Sequence, residues 1–177
     1  ALSSCLSGRV SWEIVKGNMQ EATATALRYQ KIFGEDNLYL ELQHHSAISD
    51  QAVANQGLLA ISRSTGIPLI ATADSHYLRP EDADAQDILM LVNTGARAND
   101  PERLTMKDDD FSLKSSEDME QLFAETPDAI ANTQKVAAAC NLELNLDIIR
   151  LPAYPLPQGK TADEHLRELC SEGLKDK

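Results

Sequence analysis

An aspartate and a histidine stand two positions apart at the end of an apolar run, at Asp74 and His76. On an extended segment, side chains two residues apart point to the same side, so both could reach one ion while Ser75 faces away. A carboxylate together with an imidazole suits Zn²⁺, Mn²⁺ or Fe²⁺. The pair therefore indicates part of a metal site, or alternatively a structural cap of the loop before Pro80.

Three further residues have side chains that could join such a site. Cys5 stands among small and apolar residues, where a cysteine is typically a small buried hydrophobe. His44 and His45 follow a strand-like run, so one of them should point toward the edge that carries Asp74 if the strands are parallel neighbours, and the other should face solvent. The acidic run 108–110 lacks the glycine and the later acidic ligand of a calcium loop, so we expect a solvated loop there.

The apolar spacing predicts the elements that must position these residues. Helices are expected over 18–33, opened by Asn18, and over 49–66, opened by Ser49. Strands are expected over 38–42 and 68–73, and the order helix, strand, helix, strand implies a parallel sheet. Parallel α/β folds place their sites at the carboxyl ends of strands, which is where the candidate residues lie. Further helices are predicted over 80–95, from 116, over 127–140 and after 161, with a polar surface excursion over 96–110 and a short extended piece at 111–113.

A proline-rich stretch divides the chain. The segment 150–160 contains three of the seven prolines, at Pro152, Pro155 and Pro157, and this composition favours extended backbone. We therefore expect a first domain over 1–149, a linker over 150–160 and a further helical segment over 161–177. Thr161 and Glu164 have the spacing of a capping box for that last helix.

Composition excludes several classes of protein. With 177 residues, 42% hydrophobic and 25% charged, the chain is typical of one globular domain or two small ones. A net charge of -12 excludes a free-standing, charge-driven nucleic-acid binder, so DNA contact would need a neighbouring domain or a bound metal. Three cysteines without CxxC spacing favour neither a disulfide framework nor a zinc ribbon.

Targeting and nucleotide-binding motifs do not occur. Apolar runs are far shorter than the roughly 20 residues of a membrane span, so no membrane partner is expected. The first residues do not resemble a secretory leader, and we expect a cytoplasmic protein. The glycine-rich phosphate loops and the GxSxG nucleophile elbow are absent from the sequence, which removes the nucleotide-loop and serine-hydrolase classes.

The order of several motifs resembles a known family. The chain is similar to the C-terminal part of the polymerase and histidinol phosphatase (PHP) domain of bacterial replicative DNA polymerases, the DNA polymerase III α-subunit family. The resemblance covers essentially the whole chain and lies in the segments Leu2–Leu6, Asn37–His45, Ile67–Leu78, Asp110–Ser115 and Leu151–Pro157.

The resemblance implies a fold and a site. The expected fold is α/β, the second half of a distorted seven-stranded β/α barrel, followed by a short helical lead-in to the polymerase palm. PHP domains hold up to three metal ions at the barrel rim, and the expected cofactors are divalent ions (Zn²⁺, Mn²⁺ or Mg²⁺). By motif, Cys5, Asp74 and His76 match family metal ligands. His44 and His45 are possible rim residues, and the Leu-Gln-x-His pattern points to His45.

The same resemblance implies that the chain is a fragment. The family's opening His-x-His, its following His and Glu ligands and the polymerase's catalytic aspartates do not occur here. The implied function is that of a piece of the catalytic subunit, with a metal site for 3′–5′ exonuclease or phosphoesterase activity or with a scaffold role. Implied partners are the rest of the polymerase chain, DNA through neighbouring domains, a proofreading exonuclease subunit and other replisome subunits. The alternative is a free-standing PHP-type metal-dependent phosphoesterase. With strands missing, we expect marginal stability or self-association of the isolated segment.

Overall fold

A computed structural model describes residues 1–146 and 151–175 of the chain. They form two compact units, Ala1–Cys140 and Asn141–Lys177. The expected boundary between residues 149 and 150 lies outside the described residues, and the domain division stays a prediction.

Helices account for most of the regular structure. The first unit also contains two short strands and two 3-10 turns, Glu35–Asn37 and Pro80–Asp82. Its elements are α1 (Arg9–Val15), α2 (Met19–Phe33), β1 (Leu40–Gln43), α3 (Ser49–Thr65), β2 (Leu69–Thr72), α4 (Ala83–Thr94), α5 (Ser116–Leu122) and α6 (Pro127–Ala139), and the second unit contains α7 (Ala162–Gly173).

The two strands pair in parallel, as the element order predicts. Their register runs from Leu40 opposite Leu69 to Gln43 opposite Thr72. The chain start extends this pairing, because the Ser3 amide donates to the Tyr39 carbonyl at 3.0 Å. The predicted α/β class is confirmed at the level of a mixed fold with a small parallel sheet.

Strand alternation gives the sheet one face in the main hydrophobic core and a second face that carries Glu41 and Thr72 beside the buried Ile70. Leu40, Leu42 and Ala71 lie in the main hydrophobic core, whereas Glu41 and Thr72 point to the other face. There the Thr72 hydroxyl donates to the Glu41 carboxylate at 2.6 Å. The core contains Val10, Ile14, Ala22, Ala26, Leu38, Leu40, Leu42, Leu58, Ile61, Ile67, Ala71, Phe123 and Ala129.

Helix α1 was not predicted from the sequence. It has only seven residues, and its buried apolar side chains, Val10 and Ile14, are too few to show a helical period. Packing against neighbouring helices stabilises it instead. A Cβ added at Gly57 of α3 would lie 2.3 Å from an Ile14 side-chain carbon, so only glycine allows this close approach.

The predicted helix ends agree with the structure in most cases. Gly66 and Gly95 adopt left-handed conformations, with φ of 77° and 68°, directly after α3 and α4. Asn18 occupies the N-cap position of α2, but its side chain donates to Glu13 at 2.9 Å rather than capping the helix. The helix expected from Pro80 begins as a 3-10 turn and becomes α-helical at Ala83.

Two carboxylates of α4 anchor the polar excursion 96–110: Asp84 pairs with Lys107, and Asp87 accepts a set of hydrogen bonds that we call the Asp87 network. Arg103 donates two hydrogen bonds to Asp87, at 2.6 and 2.7 Å, and the Thr105 hydroxyl donates a third at 2.8 Å. Hydrogen bonding from Arg103 lowers the pKa of Asp87, against the opposing effect of burial. Ion pairs with α4 therefore hold this polar loop.

The second unit contains the predicted capping box. The Thr161 hydroxyl accepts from the Glu164 amide at 3.3 Å, and the Glu164 carboxylate accepts from the Thr161 amide at 2.9 Å. Hydrogen bonds that the Thr161 amide and hydroxyl donate to the carboxylate lower the pKa of Glu164. In neither unit does a described helix have the length and apolarity needed to cross a membrane.

Candidate metal centre

The candidate residues follow the carboxyl ends of the two strands. Because β1 and β2 are parallel and end opposite each other, at Gln43 and Thr72, the chain that leaves each strand emerges at the same edge. His45 lies two residues after β1, and Asp74 lies two residues after β2. The sheet register thus brings together residues that are 29 positions apart in sequence.

Asp74 is the centre of the group. Its Oδ2 lies 3.4 Å from His45 Nε2, and its Oδ1 lies 3.8 Å from His76 Nδ1. We call Asp74, His45, His76 and Asp109 the site cluster. Each of the two carboxylate oxygens of Asp74 therefore faces a different imidazole.

Asp74 and His76 come together by a different backbone conformation from the expected one. The sequence predicted an extended segment, but Asp74 has a φ of 50°, in the left-handed region. His76 Nδ1 lies 2.9 Å from the Asp74 carbonyl oxygen, which turns the imidazole back toward Asp74. A non-glycine residue held at positive φ is uncommon and tends to occur at functional sites.

His45 is buried, with only 2% of its side chain exposed. Its Nδ1 and Nε2 are both buried and have no hydrogen-bond partner among the described residues. On the side away from Asp74, Nδ1 lies 3.9 Å from Asp109 Oδ2. Buried polar atoms are nearly always hydrogen-bonded, so two unpartnered nitrogens on one ring require an explanation.

Asp109 is a member of the cluster that sequence reasoning missed. The run 108–110 was expected to be a solvated loop, yet only 11% of the Asp109 side chain is exposed. Its carboxylate accepts from the Ala47 amide at 2.9 Å and from the Asp110 amide at 2.7 Å. The expectation holds for Asp108 and Asp110, which are exposed, and fails at Asp109 alone, because it considered calcium-loop spacing and not the pairing of the following residues.

A parallel pairing joins the segment that follows β2 to the segment that follows the polar excursion. Tyr77 and Ser112 form a parallel bridge, and the His76 amide donates to the Phe111 carbonyl at 2.8 Å. The Phe111 ring then lies against both imidazoles, with centroid distances of 4.4 Å to His45 and 5.7 Å to His76. The predicted extended piece at 111–113 is the sequence signal that locates this contact.

Asp110 is not a member of the cluster and forms its own ion pair with Lys114. Burial acts to raise the pKa of Asp110, but hydrogen bonds from Lys114 and Ser112 outweigh it and lower the pKa to about 2. Asp110 is therefore ionised over the whole physiological range.

The remaining candidates take different positions. His44 is exposed. Cys5 is half-buried, its sulfur lies 3.9 Å from the Ser4 hydroxyl, and its carbonyl accepts from the Gly8 amide at 2.8 Å. Ser4 has a φ of 72° and is the second non-glycine residue at positive φ. The role of Cys5 as a ligand stays a prediction.

The side chains of the cluster are of types that bind divalent cations. Carboxylate and imidazole are ligands of Zn²⁺ and Mn²⁺, and the unpartnered nitrogens of His45 show that the polar groups of the cluster do not satisfy one another. Over residues 1–146 and 151–175, however, no group of three or more His, Cys, Asp or Glu side chains is arranged so that it could hold a metal ion. A role of this cluster in metal binding therefore stays a prediction.

Comparison with known proteins identifies relatives along nearly the whole chain. The chain is 40% identical over 177 residues to DNA polymerase III subunit alpha of Treponema pallidum, covering 99% of this chain and 15% of the relative. It is 40% identical over 175 residues to the subunit of Borreliella burgdorferi (98% and 15%), and 33% identical over 180 residues to that of Thermus aquaticus (98% and 15%).

The chain is similar throughout to DNA polymerase III subunit alpha. The predicted resemblance to this family is therefore confirmed. The chain spans about 15% of the length of these polymerase subunits. No family model matches the chain, so its assignment to the PHP domain stays a prediction.

Proposed function

We propose that this chain is a segment of the catalytic subunit of a bacterial replicative DNA polymerase. The supporting observation is the 33–40% identity with DNA polymerase III subunit alpha over about 99% of the chain. The complete subunit would transfer nucleotides to a primer end in the cytoplasm. Since this segment has a net charge of -12, DNA would be bound by neighbouring domains.

Within that subunit, the segment would form the second half of a PHP barrel. The consecutive β1, α3 and β2, with parallel strands, are a unit of the kind from which β/α barrels are built. The site cluster lies beyond the carboxyl ends of these strands, where such barrels carry their ligands. The remaining strands would come from other parts of the polymerase chain.

Asp74 and His76 would bind a divalent ion at this rim. Cys5 is the third proposed ligand, and further ligands would come from the first half of the barrel. A bound ion would supply Lewis-acid chemistry for hydrolysis of a phosphodiester at a 3′ end. The turn at Asp74 would hold two donor groups, the Asp74 carboxylate and the His76 imidazole, close together.

Two consequences for the polymerase are possible. The site could support 3′–5′ exonuclease activity, or the domain could be a scaffold that binds a separate proofreading exonuclease and other replisome subunits. A free-standing phosphoesterase is less well supported, because the matched relatives are chains of which this segment covers only 15%.

The test is Asp74→Asn in the complete polymerase subunit. This change keeps the size of the side chain and removes its charge. We expect fewer divalent ions per chain, measured by elemental mass spectrometry, and slower removal of a mismatched 3′ nucleotide. Primer extension on matched DNA should stay within about twofold of wild type, since the polymerase site lies in another domain.

Asp128→Asn is the matched control, because Asp128 is an exposed carboxylate in the first turn of α6. It should change neither ion content nor mismatch removal. An unchanged ion content in Asp74→Asn would contradict the metal site. Loss of ions without any change in mismatch removal would instead favour the scaffold role.

A further inference from the structure

His45 is the least satisfied side chain of the site cluster. It is buried, and neither ring nitrogen has a hydrogen-bond partner among the described residues. Nε2 nevertheless lies 3.4 Å from Asp74 Oδ2, and Nδ1 lies 3.9 Å from Asp109 Oδ2. The imidazole thus stands between two carboxylates, slightly beyond hydrogen-bond distance of each.

The ring is held in this place from two sides. Phe111 packs against it with a centroid distance of 4.4 Å and an angle of 35° between the planes. Asp109 is itself fixed by the amides of Ala47 and Asp110, at 2.9 and 2.7 Å. Since Ala47 follows His45 by only two residues, Asp109 and His45 are anchored to the same loop.

The two oxygens of Asp74 have different surroundings. Oδ2 faces the buried His45, whereas Oδ1 faces His76, whose side chain is 34% exposed. An ion that enters from solvent would therefore meet Oδ1 together with His76. Oδ2, which faces His45, lies on the buried side of the carboxylate.

We propose that His45 is a positioning residue that orients the Asp74 carboxylate for metal binding, and that Asp109 fixes the orientation of His45. The inference rests on the proposed function, because it assumes that Asp74 binds an ion. Partners in the second coordination shell commonly orient a ligand in this way, and their loss typically weakens metal binding about 10- to 100-fold.

The experiment uses the complete polymerase subunit, stripped of metal and titrated with Mn²⁺. Electron paramagnetic resonance reports both the number of bound ions and the symmetry of the site. We expect His45→Leu and Asp109→Asn to weaken Mn²⁺ binding by about 10- to 100-fold with the number of ions unchanged. His45→Gln should retain most of the affinity, because its amide nitrogen can replace Nε2 beside Asp74.

Asp108→Asn is the control for Asp109→Asn, since Asp108 is the exposed neighbour in the same acidic run. Wild-type affinity in both His45→Leu and Asp109→Asn would overturn the proposal. Loss of one ion per chain in His45→Leu and His45→Gln would also overturn it, because His45 would then be a ligand. If His45→Leu does not fold, the Mn²⁺ affinity and ion number of His45→Gln and Asp109→Asn test the proposal instead. Wild-type affinity in Asp109→Asn, or loss of an ion in His45→Gln, would then overturn it.

Asp74→Asn separates this inference from the function on which it rests. If Asp74→Asn loses an ion but the His45 and Asp109 variants bind normally, only the positioning role fails. If Asp74→Asn also binds normally, the metal site itself fails.

Discussion

Asp74 and Asp87 are both partly buried carboxylates in the first unit, with side chains 25% and 11% exposed, yet their surroundings differ. Asp87 accepts three hydrogen bonds between 2.6 and 2.8 Å, from Arg103 and Thr105. Asp74 faces two imidazoles at 3.4 and 3.8 Å instead. The Asp87 network satisfies its polar groups and holds a loop, whereas the site cluster keeps donor groups available.

Buried polar atoms without a hydrogen-bond partner differ between the two clusters in the same way. Four buried side-chain nitrogen or oxygen atoms of the described residues lack a hydrogen-bond partner, and two of them belong to His45. Polar groups that fold a protein are normally paired, because an unpaired buried group destabilises the folded state. Within one unit, the two clusters therefore differ in how far their buried polar groups are paired.

We expect the largest effect from a substitution that removes the Asp87 network. Arg103→Met keeps a long side chain but leaves the Asp87 carboxylate without its two strongest donors. We expect hydrogen exchange over residues 96–107 to become at least about tenfold faster, because a buried carboxylate left without these donors would have to open to water. Exchange at the site cluster should change little. Equal exchange in wild type and variant would show that the loop is held by something other than this ion pair.

At the site cluster, we expect a substitution to stabilise the folded protein rather than destabilise it. His45→Leu replaces an unpartnered buried imidazole by an apolar side chain, and should raise the local free energy of unfolding of the metal-free protein by about 1 kcal/mol. Slower hydrogen exchange in residues 40–47 would report this gain. A destabilised variant would mean that His45 contributes to the fold as Arg103 does, and the comparison between the two clusters would be wrong.

The smallest effect concerns Asp110, a paired carboxylate directly beside the site cluster. Its pKa is about 2 in the folded protein, below the ordinary 3.8, so its contribution to stability is complete above about pH 4 and is lost as the pH falls toward 2. Because the side chain is 46% exposed, we expect less than about 1 kcal/mol. The extra acid-induced exchange of residues 111–115 should be absent in Asp110→Asn. The same acid response in both proteins would assign it to another group.

The sequence predicts the strands, their parallel pairing and most helix ends, because apolar periodicity and glycine positions carry this information locally. Gly66 after α3 and Pro127 at the start of α6 are clear examples. Helix α1 escaped prediction since its stability comes from contacts such as Ile14 against Gly57, which no local pattern reveals.

The candidate site is predictable only in part for the same reason. The sequence brings Asp74 and His76 together and indicates that one of His44 and His45 reaches the same edge. The structure selects His45, since His44 is exposed. Phe111 joins through its long-range pairing with His76, and Asp109 joins through the Ala47 amide. Neither contact, nor the left-handed conformation of Asp74, has a local sequence signal.

The positive φ of Asp74 has an evolutionary consequence. Glycine would adopt this conformation without the steric cost that a side chain incurs, so Asp74→Gly would ease the backbone while deleting the carboxylate. In a lineage that no longer needed the site, mutation would therefore remove this residue readily, because selection for folding would not oppose the loss. Where a relative lacks this carboxylate, we therefore expect glycine at the turn.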